Sequence, residues 1–287
     1  MLRFSLNKEA KETLLSPQNQ AIMIIGGPDT GKTALAEDLM NLLLDKFKIA
    51  VVDADIGQSH LGPPTTIAWG MLEKKFDGWK NIPVRDMYFV GTTSPFGNLL
   101  PMLTGIKIIC DIAKQRAEKI IIDTTGMIKG GAGRALKICK IDIIHPQIIL
   151  ALESKDELEP IILAFKGMRV PLIFRIPVST KAGQKLHPHR AGYRERKFRD
   201  YFKDAHRIIL SREKIGLRNI KLEGSSLGNY LISLRDRESR DLALGIIDEV
   251  DEKEGKIGVF TPLNTPKEIG GVVLGGLKIT REGRQLP

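Results

Sequence analysis

The stretch Ala21-Ile22-Met23-Ile24-Ile25-Gly26-Gly27-Pro28-Asp29-Thr30-Gly31-Lys32-Thr33 runs from an apolar strand pattern straight into the template G-x-x-x-x-G-K-[ST]. That template is a phosphate-binding loop. Its backbone N–H groups must fold inward around phosphate oxygens, and glycine at Gly26 and Gly31 leaves room for that approach. The loop residues Gly26, Gly27, Pro28, Asp29, Thr30 and Gly31 are therefore the candidate cradle. Lys32 reaches the outer phosphates as a compact cation, and the Thr33 hydroxyl is a magnesium ligand of the kind such loops supply. A triphosphate such as ATP, with Mg2+, is the cofactor expected here.

Reading outward, residues 34–46 carry Leu35, Leu39, Leu42 and Leu43 at helical spacing, so a helix follows the loop with its positive end toward the phosphates. The next apolar run, Ile49 to Asp55, ends in acids. Strands are predicted at Met87–Val90, Lys119–Asp123, Gln147–Leu152 and Leu172–Ile176, with a helix from about Gly97 to Ala117. These runs are continuously apolar and alternate with helices, the pattern of a mostly parallel sheet covered on both faces. The fold class is thus α/β, a doubly wound P-loop NTPase core. Beyond residue 206 the texture shifts to short strand-like runs separated by Asp, Glu and Gly turns, at Tyr230, Ala243, Lys256 and Gly271, which fits a small β-rich domain. The expected division is a lead-in over 1–18, a P-loop domain over 19–205 and a β domain over 206–287.

Composition narrows the function classes. The 287-residue chain has a formal charge of +10, which favours a polyanionic partner. No apolar run approaches the roughly 20 residues of a membrane span, and the N-terminus does not read as a signal peptide, so a cytoplasmic protein is expected. Cys110 and Cys139 form no C-x-x-C pair, and the histidines show no metal-ligand spacing.

Three aspartates are candidate partners for Thr33 and its magnesium. Asp53 and Asp55 close the second strand, and Asp123 closes the Ile-rich strand before Thr124-Thr125-Gly126. Residues two apart on a strand share a side, so one of Asp53 and Asp55 would order the metal shell while the other accepts a proton. Asp53 and Asp123 are the metal candidates. A guanine-reading Asn/Thr-Lys-x-Asp element is missing, since Thr180-Lys181-Ala182-Gly183 lacks the acid.

Several segments in order carry a more specific likeness. Asp53-Ala54-Asp55-Ile56-Gly57-Gln58, Gly91-Thr92-Thr93-Ser94-Pro95, Asp123 through Gly130, and the arginine-rich run from Arg190 to Tyr201-Phe202, together with the phosphate loop, resemble the Clp1/Grc3/Nol9 family of polynucleotide 5′-hydroxyl kinases. The likeness spans roughly residues 20 to 280. It implies ATP and Mg2+ as cofactors, Lys32 and Thr33 in the nucleotide site, Asp55 as general base and Gln58 beside the same centre. It further implies that Thr92, Thr93, Ser94 and Pro95, with Thr125 and Gly126, clasp the terminal nucleotide of an RNA and/or DNA end. Met127 stands where family members often carry Trp, and the N-terminal domain of the larger members has no counterpart.

The arginine-rich segment, about 186–203, is expected to be a helical lid. Steps of about 100° place Arg190, Arg194 and Tyr201 on the face of Tyr193, with Arg196, Arg199 and Lys203 opposite. Arg190 and Arg194 are the first candidates to face the transferring phosphoryl, with Arg199 of the closing Arg-x-Tyr-Phe as the alternative. Two other readings of the chain stand beside the kinase: an ATP-binding switch or scaffold in RNA processing, and a small-molecule kinase. No residue points to a particular protein partner.

Overall fold

The computed structural model describes residues 3–178, 187–218 and 227–287, with the side chains of residues 187 and 188 outside that description. The segment 180–183 weighed above for guanine reading lies outside the described residues. After helix α1 (Lys8–Leu15), strand β1 (Ala21–Gly26) leads through the phosphate loop into α2 (Lys32–Leu43) and β2 (Ile49–Ala54). Strands β3 (Thr66–Leu72) and β4 (Val84–Phe89) follow, then α3 (Leu99–Lys114), β5 (Lys119–Thr124), α4 (Gly130–Ile144), β6 (Ile148–Glu153), the short α5 (Glu159–Ile162) and β7 (Leu172–Pro177). These strands make one seven-stranded sheet in the order β4-β3-β2-β5-β1-β6-β7.

Its five strands from β2 to β7 are parallel, and β2, β5, β1 and β6 are buried along their whole length, as apolar runs in a covered parallel sheet should be. The alternation of strand and helix predicted from sequence breaks once. Between β2 and β5 the chain inserts β3, antiparallel to β2, and the run at Met87 belongs to β4, antiparallel to β3 at the sheet edge. One core lies between this sheet and α3 and α4, with Met23, Val52, Ile106, Ile122 and Leu136 at its centre. The other lies under α1 and α2, around Leu14, Ile22, Leu35, Leu39 and Ile121. The lead-in is thus a packed helix, capped by the Asn7 side chain accepting from Ala10 N at 2.7 Å.

Helix α6 (His187–Phe202) carries the arginine-rich segment toward a second sheet. That sheet comprises β8 (His206–Ser211), β9 (Gly216–Arg218), β10 (Tyr230–Arg235), β11 (Asp241–Asp251), β12 (Lys256–Thr261) and β13 (Gly271–Lys278), in the order β8-β12-β11-β10-β13-β9. It is antiparallel except where β9 joins β13. Phe198 and Phe202 of α6 are buried against Leu231, Leu244, Ile246 and Ile279, so the second sheet is the platform on which the lid helix rests. Phe89 N donates to Asp241 Oδ2, and Gly276 N to Gly91 O, each at 2.9 Å, joining the two sheets beside the Thr92–Pro95 segment.

Candidate active site

The phosphate loop is shaped by contacts that exclude side chains. A Cβ at Gly26 would sit 2.7 Å from Thr30 Oγ1 and 2.8 Å from Leu152 O, while Gly31 adopts φ +92°. Thr30 Oγ1 also donates to Gly27 O at 3.0 Å, bracing the turn from within. Lys32 is buried, and its Nζ donates to Gly27 O at 2.6 Å. Burial lowers its pKa, opposed by the nearby charges of Asp123, Asp55 and Asp29.

Of the three candidate acids, Asp123 is the one bonded to Thr33. Thr33 Oγ1 donates to Asp123 Oδ2 at 2.6 Å, and Asp123 Oδ1 is buried with no hydrogen-bond partner among the described residues. Burial pushes the Asp123 carboxyl up to about 6, helped by Asp53, its register partner on β2. A hydroxyl and a carboxylate with one unused oxygen are hard donors of the kind magnesium takes alongside phosphate and water. The residues fit that ion.

Asp53 behaves differently from its sequence reading as a metal ligand. Its Oδ2 accepts from His60 N at 2.6 Å, Leu61 N at 2.9 Å and Ser59 Oγ at 3.2 Å, and its Oδ1 from Asp55 N at 3.0 Å. The carboxylate is spent on folding the 55–61 loop, and burial raises its pKa to about 6. Strand β2 ends at Ala54, so Asp55 lies one residue past it, near enough that its charge acts on both Asp53 and Asp123. Asp55 Oδ1 accepts from Gly57 N and Gln58 N, each at 3.1 Å, which holds the acid in the wall of an open cavity of about 690 Å³.

That cavity collects most of the sequence candidates. Its walls include Pro28, Asp29, Gly31, Lys32 and Thr33 of the loop, Asp55 and Gln58, Thr93, Ser94 and Pro95, Thr125 and Gly126, and Arg190 and Arg194. Thr92 lies just outside, and its Oγ1 accepts from Ser94 N at 3.3 Å. Thr125 Oγ1 is buried without a hydrogen-bond partner among the described residues. Gly126 packs so closely that a Cβ there would sit 2.7 Å from Pro28 N.

The lid is latched over this space. Arg190 Nη2 pairs with Asp29 Oδ2 at 2.7 Å, Tyr193 OH donates to Ser59 O at 2.9 Å, and Lys197 Nζ donates to His60 O at 3.0 Å. Arg194 Nε reaches Gln285 Oε1 at 3.0 Å, and burial beside Arg190 lowers its pKa. Arg199, the alternative catalytic arginine of the sequence reading, is instead half exposed, outside the cavity and paired with Glu195 at 2.7 Å. It falls on the far face, as 100° steps demand.

Sequence reasoning missed three residues. His60 and Phe96 also line the cavity, and Lys137 of α4 is fully buried, its Nζ donating to Thr124 Oγ1 at 2.7 Å and Thr125 O at 2.6 Å. A lysine on the buried face of α4 was the one readable signal; the other two depend on how loops meet.

Comparison with known proteins shows the family. The family model described as mRNA cleavage and polyadenylation factor CLP1 P-loop matches residues 26–204. The chain belongs to the CLP1 P-loop family. It is 30% identical to the polyribonucleotide 5′-hydroxyl-kinase of Methanocaldococcus jannaschii, over 92% of this chain and 88% of that protein. It is 29% identical to the protein of the same name from Pyrococcus furiosus, over 96% and 92% respectively. Clp1p, solved in complex with Pcf11p, superposes with a TM-score of 0.74 at 17% identity, covering 93% of this CLP1-family chain and 76% of that one. The likeness to Clp1p extends the shared fold across both sheets. No described helix is long and apolar enough to cross a membrane.

Proposed function

We propose that the chain is a polynucleotide 5′-hydroxyl kinase, moving the γ-phosphoryl group of ATP to the 5′-hydroxyl of an RNA and/or DNA end in the cytoplasm. The observation that carries this reading is that the phosphate loop, Asp55, two lid arginines and the Thr93–Pro95 and Thr125–Gly126 segments all face one cavity. Its support from relatives is the name polyribonucleotide 5′-hydroxyl-kinase borne by archaeal proteins matching nearly the whole chain.

Phosphoryl transfer is mainly positioning and charge stabilisation. Lys32 and the loop N–H groups bind the β- and γ-phosphates. Thr33 and Asp123 would hold magnesium, which when bound neutralises phosphate charge. Asp55 takes the proton of the attacking 5′-hydroxyl as its oxygen bonds to phosphorus and the bond to the ADP oxygen breaks. The two turn N–H donors on Asp55 Oδ1 leave Oδ2 without a hydrogen bond among the described residues, available for that proton. Arg190 and Arg194 offset charge on the transferring group. Arg190 Nε, buried with no hydrogen-bond partner among the described residues, supplies an unused donor for it.

The deciding assay incubates the protein with γ-labelled ATP and matched 5′-hydroxyl RNA and DNA oligonucleotides, beside a panel of free nucleosides. Label on the oligonucleotide ends is the expected result. Label on nucleosides alone would make the chain a small-molecule kinase, and nucleotide binding without transfer to either would leave a switch or scaffold.

A further inference from the structure

The cavity lining includes one apolar group that the chemistry above does not use. Phe96 lines the cavity and is 73% exposed, and it makes no ring contact among the described residues. An exposed phenylalanine forfeits the gain of burial, and of the chain's ten phenylalanines Phe96 alone is exposed, while Phe89, Phe165, Phe198 and Phe202 are buried. Phe96 is also firmly held. Its N–H donates to Ser94 Oγ at 3.3 Å, its carbonyl accepts from Asn98 Nδ2 at 3.1 Å, and Asn98 N donates to Pro95 O at 2.9 Å, tying the loop to the start of α3. Pro95 and Met127 add apolar surface to the same cavity, which elsewhere presents Lys32, Arg190 and Arg194.

A cavity lined by both cations and an unpacked ring suits a ligand that carries both an anionic phosphate and a flat, weakly polar base. We infer that Phe96 is a stacking platform for the terminal nucleobase of the polynucleotide, fixing the 5′-hydroxyl in front of Asp55. Every base has a π-face, so such a platform holds ends of any sequence. The inference rests on the polynucleotide-kinase reading and adds to it the residue that contacts the base. It accounts for an apolar ring kept at the rim of a cavity whose other duties are ionic.

The test uses the full-length protein with Phe96→Ala, Phe96→Trp and Leu100→Ala. Leu100 is 78% exposed in the first turn of α3 and outside the cavity, so it controls for loss of exposed apolar surface. Each variant is assayed with 5′-hydroxyl oligonucleotides ending in adenosine or in an abasic sugar. Phe96→Ala should raise the KM for the adenosine end about tenfold and leave the KM for ATP unchanged, Phe96→Trp should restore or tighten it, and Leu100→Ala should match the parent. On the abasic end the parent and Phe96→Ala should be alike. An equal KM for parent and Phe96→Ala on the adenosine end overturns the inference, as does an equal penalty on both ends. Indole fluorescence of Phe96→Trp, corrected for the parent's own tryptophans, gives a readout independent of turnover. Quenching by the adenosine-ended but not the abasic oligonucleotide supports the platform, and equal or absent quenching rejects it. Should the parent transfer no phosphate, the kinase reading fails while the quenching still decides this one.

Discussion

The two walls of the cavity are built by opposite means. On the triphosphate side, Lys32 and Asp123 are buried, Thr33 is bonded to Asp123, and Gly26 is packed so that a Cβ there would stand 2.7 Å from Thr30 Oγ1. In the second wall, Thr93 to Phe96 is partly or fully exposed, its local order carried by bonds of 2.9 to 3.3 Å within the turn and to Asn98. The difference follows from what each wall meets. A triphosphate presents the same charges every time, so preorganised donors repay their folding cost by needing no rearrangement as charge develops. A polynucleotide end varies in base and path, so an open wall with shape and stacking suits it better.

The largest effects should come from the buried wall and the acid beside it. Asp55→Asn keeps the turn bonds to Gly57 and Gln58 but loses the proton acceptor, so kcat should fall by about 10² to 10⁴. ATP affinity, measured by calorimetry, should stay near the parent value. Lys32→Ala should weaken ATP binding and lower kcat together. If Asp55→Asn turned over at the parent rate, the acid would have no role in the chemistry, and the contrast between the walls would lose its mechanistic meaning.

Next in size is the lid. Arg190→Ala removes a guanidinium held at the loop by Asp29 and should lower kcat about 10²-fold, whereas Arg199→Ala, outside the cavity, should remain within about twofold. Single-turnover rates with saturating ATP compare the two directly. A larger loss at Arg199 would mean the lid rotates on its platform during the reaction.

Gly126 is where the walls touch, its Cα facing Pro28 of the loop. Gly126→Ala would drive a methyl to 2.7 Å from a backbone nitrogen, so the loop or the turn must shift. A loss of about 1–3 kcal/mol in stability, with KM raised for both substrates, is expected from overpacking. If only the oligonucleotide KM rose, the walls would be more independent than the packing implies.

How much of this could be read from sequence depends on how local the cause is. The phosphate loop and the strands behind it were legible because glycine spacing and continuous apolar runs act over a few residues. Helix α4 was hidden by Gly130, Gly131 and Gly133 near its start, which lower local helix propensity although Gly133 packs against the Ile128 backbone. The roles of Asp53 and Asp55 were exchangeable in sequence, since the distinction rests on N–H groups of His60 and Leu61 that arrive seven and eight residues later. Arg199 matched a motif but not the cavity, because Phe198 and Phe202, buried on the second sheet, fix which face of α6 turns inward. Phe96 gave no sequence signal, as exposure is a property of the fold.

The smallest expected effect probes what stiffens the buried wall from behind. Lys137 and Lys140 lie fully buried on the same side of α4, but only Lys137 has partners, Thr124 Oγ1 and Thr125 O, while Lys140 Nζ has no hydrogen bond among the described residues. Burial lowers the Lys140 pKa from 10.5 to about 8, with Asp55 and Cys110 opposing that shift. Below pH 8 the amine is protonated folded and unfolded alike, and the folded state bears the whole cost of enclosing the charge. Between pH 8 and 10.5 the folded chain has shed the proton that the unfolded chain still binds, so that cost shrinks as pH rises. Lys140→Met should therefore stabilise the protein by about 1–2 kcal/mol at pH 7, with the gain over the parent narrowing by pH 9.5. Chemical denaturation at the two pH values reads the difference. A pH-independent gain would assign the stabilisation to packing alone, and a loss at pH 7 would make the Lys140 charge part of what holds Asp55 in the cavity wall.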